Sequence, residues 1–152
     1  MARPDDVVTV ERVIPAAPAA IFDLLADPVR HRDIDGSRSV QGTAAASRRL
    51  ALGDTFGATN RLGVEYSTAN TVVEFDENRR IAWQTRGTGK IGRRIGGRIW
   101  RYELEPVEGG TLVRESWDVS QERGKSVVKA ALRDKAAANM AATLARIEQL
   151  TA

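Results

Sequence analysis

Cysteine is absent from this chain, and histidine occurs once, at His31. The first scarcity excludes a disulfide framework and thiolate chemistry, and it fits a reducing compartment. The second leaves no cluster of imidazoles to replace thiolates around zinc. Neither a metal nor a cofactor is expected. No nucleophilic triad can be built on the spacing around His31, because Ser37, Ser39 and Ser47 fall in weakly patterned loops. No apolar run approaches the roughly 18 residues of a membrane span. The opening Met1-Ala2-Arg3-Pro4-Asp5-Asp6 carries two acids where a signal peptide is apolar. A cytoplasmic location without integral membrane insertion is the resulting expectation. Excess charge is also scarce. The net charge is +3, and the arginines are concentrated between Arg86 and Arg101. That excess is too small and too local to point to nucleic acid as a partner.

What is present follows two hydrophobic periods. Val7 to Val13 is rich in β-branched residues and predicts a strand, which Pro15 and Pro18 end. Pro18 suits a first helical turn, and Ile21, Phe22, Leu24 and Leu25 give the helix Pro18 to Ala26 an apolar face. A second helical turn is expected over Val29 to Ile34, stopped by Gly36. The period then becomes two. A weak strand is expected over Arg38 to Gly42 and a loop over Ala44 to Leu50. Strands follow over Asp54 to Arg61, Tyr66 to Phe75, Arg80 to Arg86, Arg98 to Glu105 and Thr111 to Val119. Leu62-Gly63, Asp76-Glu77-Asn78 and the stretch Pro106 to Gly110 supply the turns. Short turns between neighbouring strands predict an antiparallel meander. The chain closes with a long helix, Lys125 to Leu150, of roughly 39 Å. Its apolar stripe is Val128, Leu132, Ala136, Met140 and Leu144, continued by Ile147 and Leu150. One α+β domain over 1–152 is expected, as a monomer or homodimer.

That order resembles the START-like (SRPBCC) superfamily, which includes polyketide cyclase/dehydrase-like and birch-pollen-allergen-like proteins. The passage from Val13-Ile14-Pro15 through Ala26-Asp27-Pro28 is similar to the family's opening strand-to-helix segment. Asn70 to Phe75 with Arg79 to Trp83 resembles its central hairpin. Trp100 to Pro106 with Gly109-Gly110-Thr111 and Glu115 to Asp118 resembles its closing hairpin. The likeness covers nearly the whole chain. It implies a helix-grip fold: a curved antiparallel sheet of about seven strands around the C-terminal helix, with two short helices after the first strand. Where the family often has an aromatic after the histidine, His31-Arg32-Asp33-Ile34 has none. The superfamily hosts binders, transporters and enzymes, so the fold does not choose among them.

Candidate site residues follow from alternation along the strands. Trp100, Tyr102 and Leu104 share a face. Tyr66, Thr68, Asn70, Val72 and Glu74 share another, as do Ile81, Trp83 and Thr85, and Val113, Glu115 and Trp117. All three tryptophans fall on predicted central strands, where a broad apolar surface with one polar tip suits a lipid-, sterol- or polyketide-like molecule. The plain alternative is ordinary core packing. The long helix carries a second face of alanines, including Ala138 and Ala142, which leaves room for a ligand if it faces the sheet. Alanine is also the best helix former and needs no ligand to explain it. Asn70 and Glu115 stand in phase with apolar neighbours and need partners if buried. Buried, Glu115 has a raised pKa and becomes a candidate general acid or base. The expected ligand-binding set is therefore Tyr66, Asn70, Trp83, Trp100, Tyr102, Glu115, Trp117, Ala138 and Ala142. His31 reads as a surface histidine, or else as part of a cavity entrance.

Gly87-Thr88-Gly89-Lys90-Ile91-Gly92 fits G-x-G-x-x-G, but a strand rather than a helix is expected after it, so it reads as a hairpin loop. Its cations, Lys90, Arg93, Arg94 and Arg98, are either solvated or flank a pocket mouth. Three functions remain open: a carrier or binder of an apolar small molecule, a cyclase or dehydrase using a cavity carboxylate or amide, and a regulatory or toxin-like interaction protein.

Overall fold

Period-two alternation is realised as seven strands. In the computed structural model, residues 3–37, 40–42, 47–62, 64–92 and 94–152 are described. The expected strand start at Arg38, residues 44–46 of the expected loop, Gly63 and Arg93 lie outside those residues. β1 is Val7–Ile14, β2 Val40–Gly42, β3 Thr55–Leu62, β4 Val64–Asp76, β5 Arg80–Gly87, β6 Gly96–Val107 and β7 Gly110–Asp118. The helices are α1 (Pro18–Leu25), α2 (His31–Ile34), α3 (Gly89–Gly92) and α4 (Lys125–Thr151). Every strand pairing is antiparallel, in the order β1-β7-β6-β5-β4-β3-β2. The meander is as expected, and the first strand returns to pair with the last. Among the described residues no helix is long and apolar enough to cross a membrane.

The helix-grip shape follows from where the sheet bends. Ladder irregularities leave an extra residue at Val73 on β4 and, opposite Thr85 and Arg86 of β5, at Gly97 on β6. Each extra residue bends its strand and increases the local twist. The first one also corrects the expected phase. Val72 is buried, but Glu74 is on the convex face, where it meets Arg80 and Arg101. The convex face continues as a lattice of ion pairs, Arg80 with Glu103, Arg101 with Asp118, and Arg114 with Glu11 and Glu105.

The concave face is apolar and is closed at one end by α1 and α2. Ile21, Phe22, Leu24 and Leu25 of α1 pack with Ile14, Phe56, Ile81, Leu104, Val113, Leu144 and Ile147. A smaller cluster at the other end joins Trp117 and Val119 to Ala136 and Met140. α4 packs chiefly on β1 and β7 and touches α1 and α2. At the α2 crossing, Gly36 lies so near α4 that a Cβ there would overlap the Asn139 carbonyl and stand 2.6 Å from the Thr143 nitrogen. The segment read as a plain hairpin loop contains one helical turn, α3, between two antiparallel strands.

Candidate functional site

Between the two clusters the concave face encloses a cavity of about 420 Å³. Small-molecule sites run from about 300 to 1,000 Å³. The wall is built by inward positions of β3 to β7, by α2, and by one face of α4. Tyr66, Asn70, Trp83, Trp100, Tyr102, Glu115 and Trp117 all line it, so alternation along the strands brings seven of the nine expected residues together.

The structure does not bring Ala138 and Ala142 into the cavity. Ala138 is exposed, and Ala142 lies against Gly36, where an added methyl would stand 2.8 Å from the Ala142 Cβ. The face of α4 turned to the cavity carries Leu132, Lys135, Ala136, Asn139, Met140 and Thr143. The room comes from the sheet's curvature and from α4 lying towards β1 and β7, not from alanines. Of the loop cations, Arg98 lines the cavity and Lys90 and Arg94 do not.

His31 is the largest departure from expectation. It is buried, stacks on Trp83 with ring centroids 4.7 Å apart and meets Phe56 edge-on. Its Nε2 lies 2.8 Å from the Leu25 carbonyl. A carbonyl only accepts, so Nε2 carries the proton and Nδ1 the lone pair. Burial lowers the His31 pKa from 6.5, although the Leu25 bond and the carboxylates of Asp27 and Asp35 oppose it. The ring is neutral at neutral pH. Phe56 and Asn60 were legible as in-phase positions on β3. The burial of His31 comes from its stacking partners and left no local pattern.

The polar groups of the wall differ in how completely they are satisfied. The Asn70 amide donates to the Phe56 carbonyl at 3.3 Å and accepts from the Thr85 hydroxyl at 2.7 Å. Asn60 donates to the Thr68 hydroxyl and the Ala58 carbonyl. The Tyr102 hydroxyl donates to Glu115 Oε1 at 2.6 Å. The other oxygen, Glu115 Oε2, is buried with no hydrogen-bond partner among the described residues. Burial pushes the Glu115 pKa from 4.5 up to about 8; the Tyr102 bond pulls it down and Asp35 adds to the rise. Burial, with Glu115 beside it, also holds Tyr102 well above its usual value. At neutral pH Glu115 is therefore mostly a neutral acid, and with Oε1 accepting from Tyr102, the Oε2 hydroxyl is a buried donor without an acceptor.

With this geometry the comparisons become informative. The family described as polyketide cyclase / dehydrase and lipid transport matches residues 6–151. The chain belongs to that family. An uncharacterised protein of Mycobacterium tuberculosis, Rv0088, is 34% identical over 106 residues, which are 68% of this chain and 43% of that protein. The chain thus spans less than half the length of the curated relatives it matches. Among solved structures, Ms6760 of Mycobacterium smegmatis superposes with a TM-score of 0.73 at 14% identity, covering 99% of this chain and 94% of that one. DynU16, described as a putative protein in the dynemicin biosynthetic locus, superposes with a TM-score of 0.67 at 16% identity, over 96% of this chain and 47% of that one. At such identities these two likenesses carry the polyketide cyclase/dehydrase fold and nothing finer.

Proposed function

We propose that this polyketide cyclase/dehydrase family protein binds an apolar small molecule in the cavity, with a carbonyl or similar acceptor of the ligand placed against Glu115. The observation that carries the reading is the unpartnered Glu115 Oε2 beside Trp83, Trp100, Tyr102 and Trp117 in the cavity wall, where the neighbouring Asn60 and Asn70 amides have partners. Leaving a buried donor unsatisfied costs about 1–3 kcal/mol, and a ligand acceptor removes that penalty. Trp83, Trp100 and Trp117 supply the broad apolar contact. Because all three tryptophans line the cavity, intrinsic fluorescence reports its occupancy. A long-chain methyl ketone is expected to bind saturably, and Glu115→Leu to weaken that binding about tenfold, the worth of one hydrogen bond. Absence of saturable binding overturns the reading; unchanged affinity in the variant removes Glu115 from it.

A second reading is favoured by the same carboxyl. A group titrating at about 8 is suited to move a proton near neutral pH. A cyclase would use Glu115 to protonate the oxygen of one carbonyl of a folded polyketide-like chain as an enolate carbon of the same chain, its proton passed to water, bonds to that carbonyl's carbon and the C=O π bond becomes the new hydroxyl. The family's name and the setting given for DynU16 support this. It predicts turnover that collapses in Glu115→Gln.

A further inference from the structure

The His31 ring is fixed from three sides. Trp83 stacks on one face with centroids 4.7 Å apart, Phe56 meets the ring edge-on at 5.2 Å, and Nε2 lies 2.8 Å from the Leu25 carbonyl. Leu25 belongs to α1, none of whose residues lines the cavity, whereas His31 itself does. The two nitrogens of an imidazole point away from each other across the ring, and the bond made by one sets the role of the other. With Nε2 donating towards α1, Nδ1 is turned away from α1. It makes no hydrogen bond among the described residues. In the neutral ring it is an acceptor and nothing else. Other acceptors of the wall are engaged: Asp35 by the Ser37 hydroxyl and the Val40 N–H, Asn70 Oδ1 by the Thr85 hydroxyl, Glu115 Oε1 by Tyr102. The Asn60 and Asn139 amides of the wall each carry a donor beside their acceptor, so neither tells one kind of ligand group from the other.

We propose that His31 Nδ1 faces the cavity and accepts from a hydroxyl of the ligand, so that the molecule taken is a hydroxylated ketone, its carbonyl against Glu115 and its hydroxyl against His31. This rests on the reading of the cavity as a ligand site with Glu115 as donor, and it adds a second anchor of the opposite sense. The two anchors stand on one aromatic wall. His31 stacks on Trp83, Trp83 meets Tyr102 with centroids 5.5 Å apart, and Tyr102 donates to Glu115. A ligand lying along that wall reaches both. Stacking on Trp83 fixes the plane of the imidazole, so the Nδ1 lone pair has a set direction. A donor at one end and an acceptor at the other favour one orientation of the ligand, because in the reverse one the carbonyl meets Nδ1 lone pair against lone pair. A plain ketone leaves Nδ1 without a partner. A carboxylate placed at His31 brings oxygens that only accept, beside the negative charge of Asp35.

His31 is the chain's only histidine, so nitrogen-15 labelling of imidazole, in protein made without a histidine tag, reports this ring alone. The probes are 2-dodecanone, its derivatives with a hydroxyl at carbon 4, 6, 8 or 10, and the methyl ethers of those derivatives, which keep the oxygen and lose the donor. In the free protein, Nε2 is expected to resonate as an N–H and Nδ1 as a bare acceptor. Saturation with the best-placed hydroxy isomer should move the Nδ1 resonance towards the N–H range and leave Nε2 where it is. Neither 2-dodecanone nor the matching ether should do so. By tryptophan fluorescence that isomer should bind about tenfold more tightly than 2-dodecanone, the worth of one hydrogen bond, and its ether no more tightly. His31→Gln keeps an amide N–H able to reach the Leu25 carbonyl and loses Nδ1. His31→Phe keeps a ring to stack on Trp83 and loses both nitrogens. In each, the ratio of the two affinities should fall from about ten to about one. Circular dichroism shows which variants keep the fold, and either one suffices. A proton on Nδ1 in the free protein, an Nδ1 resonance that no hydroxy isomer moves although 2-dodecanone binds, an equal shift with the ether, or a preference that persists in the folded variants overturns the proposal and leaves the cavity reading intact. Absence of saturable binding by every probe, 2-dodecanone included, overturns the cavity reading and this proposal together.

Discussion

Glu115 and Tyr102 make the site sensitive to pH in a definite direction. Unfolded, Glu115 titrates near 4.5; folded, at about 8. The folded state holds the proton more tightly, so the stabilisation from protonated Glu115 is complete below the unfolded value. It declines as pH rises and is gone above the folded value. Thermal unfolding followed from about pH 5 to pH 9 should show a falling midpoint, and Glu115→Gln, which cannot ionise, should flatten that slope. An equal slope in the variant would place the titration elsewhere. Tyr102→Phe removes the only donor to Glu115 among the described residues. It should raise the Glu115 pKa further, because that bond lowers it. It should also cost about 1–3 kcal/mol in urea unfolding, the penalty for stripping a buried polar group of its partner. At this scale the sequence was partly legible. Glu115 and Asn70 were recognisable as polar residues in phase with apolar ones. His31 was not, because an imidazole gains burial by stacking on Trp83 and Phe56 and by reaching the Leu25 carbonyl, contacts that leave no periodic trace around it.

Elements were easier to foresee than the faces they present. The strands from β3 to β7 lie within a few residues of their expected spans because alternation and turn residues are local signals. The inversion of phase at Glu74 was hidden, since a one-residue bulge leaves composition unchanged. The alanines of α4 misled for a similar reason: alanine reports helix propensity and says little about which face is buried. The close crossing of α2 on α4 tests the packing directly. Gly36→Ala places a methyl on the Asn139 carbonyl and beside the Thr143 nitrogen, backbone atoms that cannot swing aside. It should destabilise by about 1–3 kcal/mol, seen as a lower urea midpoint with an unchanged slope. Ala138→Gln, on the exposed face of the same helix, should stay within about 0.5 kcal/mol of wild type and leave probe binding unaltered. A large effect of Ala138→Gln on probe binding would restore the alanine face to the cavity.

The whole molecule is held closed by a clasp just ahead of β1. Asp6 is fully buried and accepts from the Arg3 N–H, from Lys125 and from Lys129, and its own carbonyl accepts from the Val119 N–H. The two lysines hold its carboxyl far below the usual carboxylate range. One side chain thus ties the start of β1 to the first turns of α4, the helix that carries Leu132 and Lys135 to the cavity. Asp6→Asn should leave the sheet folded, speed amide hydrogen exchange in those first turns and lower the thermal midpoint. Unchanged exchange there would mean that the packing of Val128 and Leu132 alone seats the helix. The pairing of β1 with β7 has a further consequence in time. Val7 lies opposite Asp118, and Ile14 opposite Thr111, so the first strand of the sheet to be made is completed by the last. A chain emerging from the ribosome amino-end first holds β1 with nowhere to pair until nearly all of the sheet has been synthesised. Closing so long a loop is entropically costly and makes the final step slow. Until then the aromatic interior, tryptophans included, stands open to water, and the chamber that defines this protein exists only once its last strand has been born.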